Sequence, residues 1–94
     1  MRIGLSASST SSLPSRHAAR HLLDRVRAAH TAGIDTLTFG DSHNRSGVRY
    51  FQNVPTLARS LAEWDPQRPA GCLFLVPMGN PVLLAEQGGT LATF

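Results

Sequence analysis

An acid and an imidazole stand one residue apart in this chain, directly after a segment with β-forming composition. Asp41 and His43 follow the run Thr-Leu-Thr-Phe-Gly that starts at Thr36. Histidine titrates near neutral pH and a neighbouring carboxylate fixes its tautomer, so the pair can supply a general base with an orienting acid. In a purely structural interpretation, Asp41 bonds the loop backbone and His43 projects into solvent. The spacing alone leaves both interpretations open.

The same pair could contribute two ligands to a metal ion. A divalent metal site generally needs about three protein ligands, however, and the other histidines are poorly placed to add one. His17, His21 and His30 all fall on one predicted helix, and without a nearby third ligand a solvated helix face is the favoured interpretation. The sequence therefore predicts no metal.

Two further sets of polar side chains lie in predicted loops. Tyr50 and Gln52 belong to the run Tyr-Phe-Gln-Asn, in which rings could cover a planar aromatic ligand while amides fix its orientation. Both are candidate substrate contacts, whereas we expect Phe51 to pack against the core and Asn53 to cap a helix. Ser6 opens a hydroxyl-rich run that could contact phosphate or ring oxygens.

Apolar periodicity predicts three strand-helix units that would position these side chains. The first helix spans Ser15 to Ala32, is capped by Ser12 or Ser15, and ends at Gly33. Asn80 and Pro81 cap and open the third helix. The predicted elements are strands over residues 2–7, 34–40 and 71–76, the last buried on both faces, and helices starting near residues 15, 55 and 81, the second ending at 65.

Strands that alternate with helices favour a parallel sheet joined by right-handed crossovers, in the α/β class. Three units with no cap at the end of the third helix indicate part of a (β/α)8 TIM barrel, which takes about 250 residues. We therefore expect residues 1–94 to be the amino-terminal part of one incomplete barrel domain. The carboxyl ends of such strands carry the active site, where Asp41 and His43 fall.

Composition narrows the class of protein. An apolar fraction of 41% and a charged fraction of 16% suit a globular chain, and no apolar run approaches the ~20 residues of a membrane helix. Nine arginines and no lysine are spread along the chain without a basic patch, so no nucleic-acid partner is expected. Cys72 stands alone and no secretory segment opens the chain, which predicts a cytoplasmic location.

Three segments together resemble the amino-terminal part of a luciferase-like flavin-dependent monooxygenase. They are Arg-Ile-Gly-Leu from Arg2, Ala-Gly-Ile-Asp from Ala32 leading to Phe-Gly-Asp-Ser-His, and Asn-Pro-Val-Leu-Leu-Ala-Glu-Gln from Asn80. The resemblance implies a TIM barrel that binds reduced FMN, or a deazaflavin in a related branch, at the carboxyl ends of its strands. It also implies a small organic substrate, with dioxygen or hydride chemistry performed by the flavin.

The resemblance assigns roles to individual residues. Asp41 matches a position near the flavin ring, and His43 matches a histidine that faces the reaction centre. Val76 and Pro77 would back the ring. Ser6, from the hydroxyl-rich run after the first strand, is a further candidate cofactor contact on its own chemistry. In this family the flavin-phosphate site comes from later strands, so the resemblance implies weak flavin binding and little turnover by this chain alone.

Two other functions stay open. A non-catalytic association module would use exposed apolar helix faces to bind a partner or a second copy of itself. A metal-dependent TIM-barrel hydrolase would instead use Asp41 and His43 as ligands.

Overall fold

The computed structural model describes residues 1–7, 10–11, 13–40, 49–73, 75 and 79–93. The predicted alternation of strand and helix is present within these ranges. The described elements are β1 (Gly4–Ser6), β2 (Thr10–Ser11), α1 (Ser15–Ala32), β3 (Thr36–Phe39), β4 (Arg49–Tyr50), α2 (Asn53–Leu61), β5 (Ala70–Cys72) and α3 (Pro81–Thr93).

Three of the strands form one open parallel sheet in the order β1-β3-β5. Leu37 of β3 is in register with Leu5 on one side and with Ala70 on the other. Each α-helix crossover returns the chain to the same end of the sheet, so the carboxyl ends of the three strands share one edge. The α/β class with parallel strands is confirmed at this level, and closure into a barrel stays a prediction.

The hydrophobic core lies on one face of this sheet. Leu37 and Phe39 are fully buried, and they alternate with half-buried Thr36 and Thr38 on the other face. Core residues Leu22, Val26 and Ala29 of α1 and Leu57 of α2 join Leu37 and Phe39 in one apolar cluster. Thr36 and Thr38, on the other face of β3, are not part of that cluster.

The third strand of the sheet differs from its prediction. Ala70, Gly71 and Cys72 are half-buried, and Leu73 and Leu75 beyond them are 69% and 49% exposed. The expectation of a strand buried on both faces is therefore wrong. The continuous apolar run is typical of a central strand, whereas β5 lies at the edge of the described sheet.

Helix α1 has the predicted bounds. Gly33 ends it in the left-handed conformation with φ 81°, and its N–H donates to the carbonyl of His30 at 3.2 Å. Pro14 takes the N-cap position and makes no side-chain cap bond, so Ser15 is not the cap, and Ser12 lies outside the described residues. The fixed φ of proline suits entry into a helix without such a bond.

Helices α2 and α3 follow their predictions in part. Helix α2 begins at Asn53 and ends at Leu61, short of the predicted stop at Asp65. Helix α3 begins at Pro81 as predicted, and Asn80 Oδ1 accepts hydrogen bonds from the backbone N–H groups of Val82 and Leu83. Its described side chains include none that is buried. None of the helices described is long and apolar enough to cross a membrane.

Candidate functional site

The shared carboxyl edge of β1, β3 and β5 is the candidate site. Ser6 ends β1 and is exposed, Gly40 follows β3, and exposed Leu73 follows β5. Backbone pairing continues to this edge, because Ala7 N–H donates to the Thr38 carbonyl and Leu73 N–H donates to the Phe39 carbonyl, both at 2.9 Å. In parallel α/β sheets, ligands bind just beyond such an edge.

A short antiparallel ribbon connects two of the loops at this edge. Thr10 of β2 pairs with Tyr50 of β4, so the loop after β1 is joined to the segment that leads into α2. The Tyr50 hydroxyl oxygen lies 3.6 Å from the point that a Cβ on Gly40 would occupy. The ribbon therefore places a phenol beside the end of β3. Its strands have two residues each, too few for a periodic sequence signal.

Asn53 connects α2 to the end of β5. Its side chain is 5% exposed, and Nδ2 donates a hydrogen bond to the backbone carbonyl of Leu73. The expectation that Asn53 caps α2 is wrong. Gln52 takes the N-cap position without a side-chain bond, and its carbonyl accepts from Thr56 N–H at 3.2 Å and Thr56 Oγ1 at 2.6 Å. The sequence alone does not distinguish an asparagine that caps a helix from one whose side chain is buried at the helix start.

The residues predicted to form the site fall into three groups. Ser6 and half-buried Tyr50 belong to the carboxyl edge. Gln52 is exposed and lines an outer groove between α1 and α2 instead. The remaining candidates lie outside the described residues: Asp41, His43, Val76 and Pro77.

Among the described residues, the largest pKa shift is that of Glu63, which lies away from this edge. Glu63 accepts hydrogen bonds from Arg27 and Arg59, which lower the pKa of its carboxyl to about 2. The same contact with Glu63 raises the pKa of Arg27. Within the described part of the chain, no group of three or more His, Cys, Asp or Glu side chains could hold a metal ion. Glu63 therefore links Arg27 of α1 to Arg59 of α2.

The edge offers a mixed set of contacts to a ligand. The hydroxyl groups of Ser6 and Tyr50 can donate or accept hydrogen bonds, and exposed Leu73 and Leu75 supply apolar surface. This set suits a planar ring with polar edges and apolar faces.

Comparison of the chain with family models, with curated proteins and with solved structures gives no match. Membership of the luciferase-like family stays a prediction from the residues quoted above.

Proposed function

We propose that this chain supplies three βα units of a flavin-dependent oxidoreductase or monooxygenase of the luciferase-like type, with the flavin ring at the carboxyl edge of the sheet. The observation that supports the proposal is the parallel order β1-β3-β5, which gives three strand ends to one edge. The ribbon that brings Tyr50 beside Gly40 adds a hydrogen-bonding group there.

Four described side chains support the proposal. Ser6 and Tyr50 would meet its polar edge, because hydroxyl groups can both donate and accept hydrogen bonds. Leu73 and Leu75, which are 69% and 49% exposed, would lose water-exposed apolar surface against the ring face. When bound, FMN or a deazaflavin supplies hydride transfer or dioxygen activation that no amino-acid side chain provides.

The protein's part in this proposal is orientation and proton handling. By the resemblance, His43 would hold or move a proton at its imidazole nitrogen near the substrate, and Asp41 would orient the cofactor ring. Asn53 holds the backbone at Leu73, directly after β5 and shortly before Val76 and Pro77 in the sequence. Tyr50 and Ser6 would fix the ring by hydrogen bonds.

Parallel titrations of the chain with FMN and with riboflavin test this proposal. Flavin fluorescence reports binding, and backbone amide NMR shifts report its location. We expect both flavins to bind with affinities within about twofold, since the resemblance assigns the phosphate site to later strands. The largest shifts should occur at Ser6, Gly40 and Tyr50.

A pair of variants sharpens the test. Tyr50→Phe removes one hydroxyl and should weaken flavin binding about fivefold to tenfold, as expected for one lost hydrogen bond. Thr31→Ala, an exposed change on α1, serves as the control and should leave binding unchanged. No saturable fluorescence change, or shifts confined to residues remote from the carboxyl edge, would overturn the proposal.

A second candidate, the association module, is favoured by one feature of α3. Val82 and Leu83 near its start are 65% and 54% exposed, which leaves apolar helix surface without cover among the described residues. Sedimentation of the flavin-free chain tests this candidate. Association that increases with concentration supports it, and a monomer at all concentrations removes it.

A further inference from the structure

Helices α1 and α2 leave an open groove between them on the helix-covered side of the molecule. Its volume is about 280 Å³. Its floor is mostly apolar, from Leu22 in the core to Phe51 ahead of α2. We call it the helix groove, and its lining residues are Ala19, Leu22, Leu23, Phe51, Gln52, Pro55, Thr56 and Arg59.

Arginines stand on both lips of the helix groove. Arg16 and Arg20 lie one helical turn from Ala19 and Leu23, on the same flank of α1 as Arg27. That flank is turned toward the end of α2, because Arg27 pairs at 3.1 Å with Glu63, which lies two residues beyond Leu61. Neither Arg16 nor Arg20 forms an ion pair with any residue that the structure describes.

Charge pairs link the two helices near Arg59, at one end of the helix groove. Glu63 is shared by Arg27 and by Arg59, each at 3.1 Å, and Arg27 also pairs with Asp24 at 3.2 Å. The acidic side chains near the groove are therefore already neutralised. The α1 lip, at Arg16 and Arg20, keeps an excess of positive charge beside an apolar floor.

We infer that the helix groove docks an acidic amphipathic helix of a partner protein. Apolar side chains at spacings of three and four would enter the floor, and flanking Asp or Glu would face Arg16 and Arg20. A helix suits the groove better than a small molecule does, because small-molecule sites are concave and bury most of their ligand. This inference is independent of the flavin proposal, which concerns the carboxyl edge of the sheet.

A designed peptide provides the probe. It has 15 residues (a length of about four helical turns), with leucine at alternating spacings of three and four and glutamate at most other positions, and carries a fluorescein label. A scrambled peptide of identical composition lacks the apolar stripe. Fluorescence anisotropy with the full chain should show saturable binding of the patterned peptide, and binding of the scrambled peptide about tenfold weaker.

Variants on the exposed surface of α1 locate the binding. Ala19→Phe fills the groove from an exposed position and should weaken the patterned peptide about tenfold or more. The double change Arg16→Gln with Arg20→Gln removes two positive charges and should weaken it about fivefold to tenfold. Circular dichroism confirms that each variant is folded, and because the two variants act independently, either one can test the site.

The matched control is His17→Glu with His21→Glu. With histidine counted as neutral, it lowers the formal net charge by the same amount, on the same helix, at exposed positions on the other flank. We expect a change of less than about twofold. The inference fails if this control weakens binding as much as the arginine pair does, if both peptides bind equally, or if no saturable binding occurs.

Discussion

The two ends of the parallel sheet are built in different ways. At the amino end, the Arg68 guanidinium donates to the carbonyls of His30 and Ile34 at 3.0 and 3.2 Å and lies 5.8 Å from the ring centre of Trp64. At the carboxyl end, Ser6 and Leu73 are exposed and a ribbon of two-residue strands joins the loops. Because the amino end holds helix to sheet, the carboxyl end is free to present side chains to a ligand.

The variant with the largest expected effect on stability is Trp64→Ala, at the amino end of the sheet. Trp64 is 5% exposed, belongs to the core cluster, and donates from Nε1 to the Arg68 carbonyl at 3.2 Å. Its truncation leaves a cavity and an unsupported guanidinium, and should lower the free energy of unfolding by about 3–5 kcal/mol. Urea denaturation followed by circular dichroism measures the loss.

The control for Trp64 is Tyr50→Phe at the other end of the sheet. Tyr50 is half-buried, and the change keeps its ring, so the cost should be below about 1 kcal/mol. Equal losses in the two variants would contradict the contrast between the ends.

The next effect is that of Arg68→Ala. The change removes two hydrogen bonds from a charged donor to the end of α1 and the start of β3, together with the ion pair to Asp65 at 3.2 Å. We expect a loss of about 2 kcal/mol, moderated because the Arg68 side chain is 28% exposed. Arg68→Lys should recover only part of it, because Nη1 reaches the two carbonyls while Nε reaches Asp65, and a single ammonium cannot span both. Thermal denaturation compares the two, and full recovery by lysine would show that charge alone matters.

A smaller and more local effect is expected for Asn53→Ala. The Leu73 carbonyl loses its side-chain donor, and Leu73 as a whole is 69% exposed, so the cost should be about 1 kcal/mol. Amide hydrogen exchange should speed up at Leu73 and Leu75 while Leu37, in the centre of the sheet, stays protected. Equal acceleration at Leu37 would show that Asn53 supports the whole fold rather than the carboxyl edge.

The sequence carried enough information to predict the helices and the parallel order. Helix α1 repeats apolar residues on one face and ends at Gly33, a position with φ 81° that glycine adopts without strain. Asn80 and Pro81 form a local start signal for α3 that depends on no distant contact. Such features are encoded within a few residues, so periodicity and capping rules recover them.

The features that sequence did not predict depend on contacts across the chain. The exposure of Leu73 and Leu75 follows from which faces of the sheet are covered, and an apolar run carries no information about that. The pairing of Thr10 with Tyr50 joins segments 40 residues apart through two short strands. The candidate site was predicted through the carboxyl-edge rule for parallel strands, which identifies the edge but not Asn53 as the residue that holds it.

The smallest expected effect concerns Glu63, which joins α1 and α2 near the amino end of the sheet. Its pKa is about 2 in the folded chain against an ordinary value of 4.5, because Arg27 and Arg59 donate hydrogen bonds to the ionised form. A lowered pKa means that the stabilisation is complete above pH 4.5 and is lost as the pH falls toward 2. Glu63→Gln should therefore lower the Tm at pH 7, with the two Tm curves converging as the pH approaches 2.

Added salt distinguishes the contribution of the Glu63 ion pairs from that of the buried contacts at the amino end of the sheet. The ion pairs of Glu63 with Arg27 and Arg59 are partly exposed, so about 1 M NaCl should shrink the Tm difference between wild type and Glu63→Gln at pH 7. The loss in Trp64→Ala should persist in the same salt, because it comes from burial rather than charge. A Tm difference for Glu63→Gln that neither salt nor acid reduces would mean that the carboxylate acts through packing rather than through its charge.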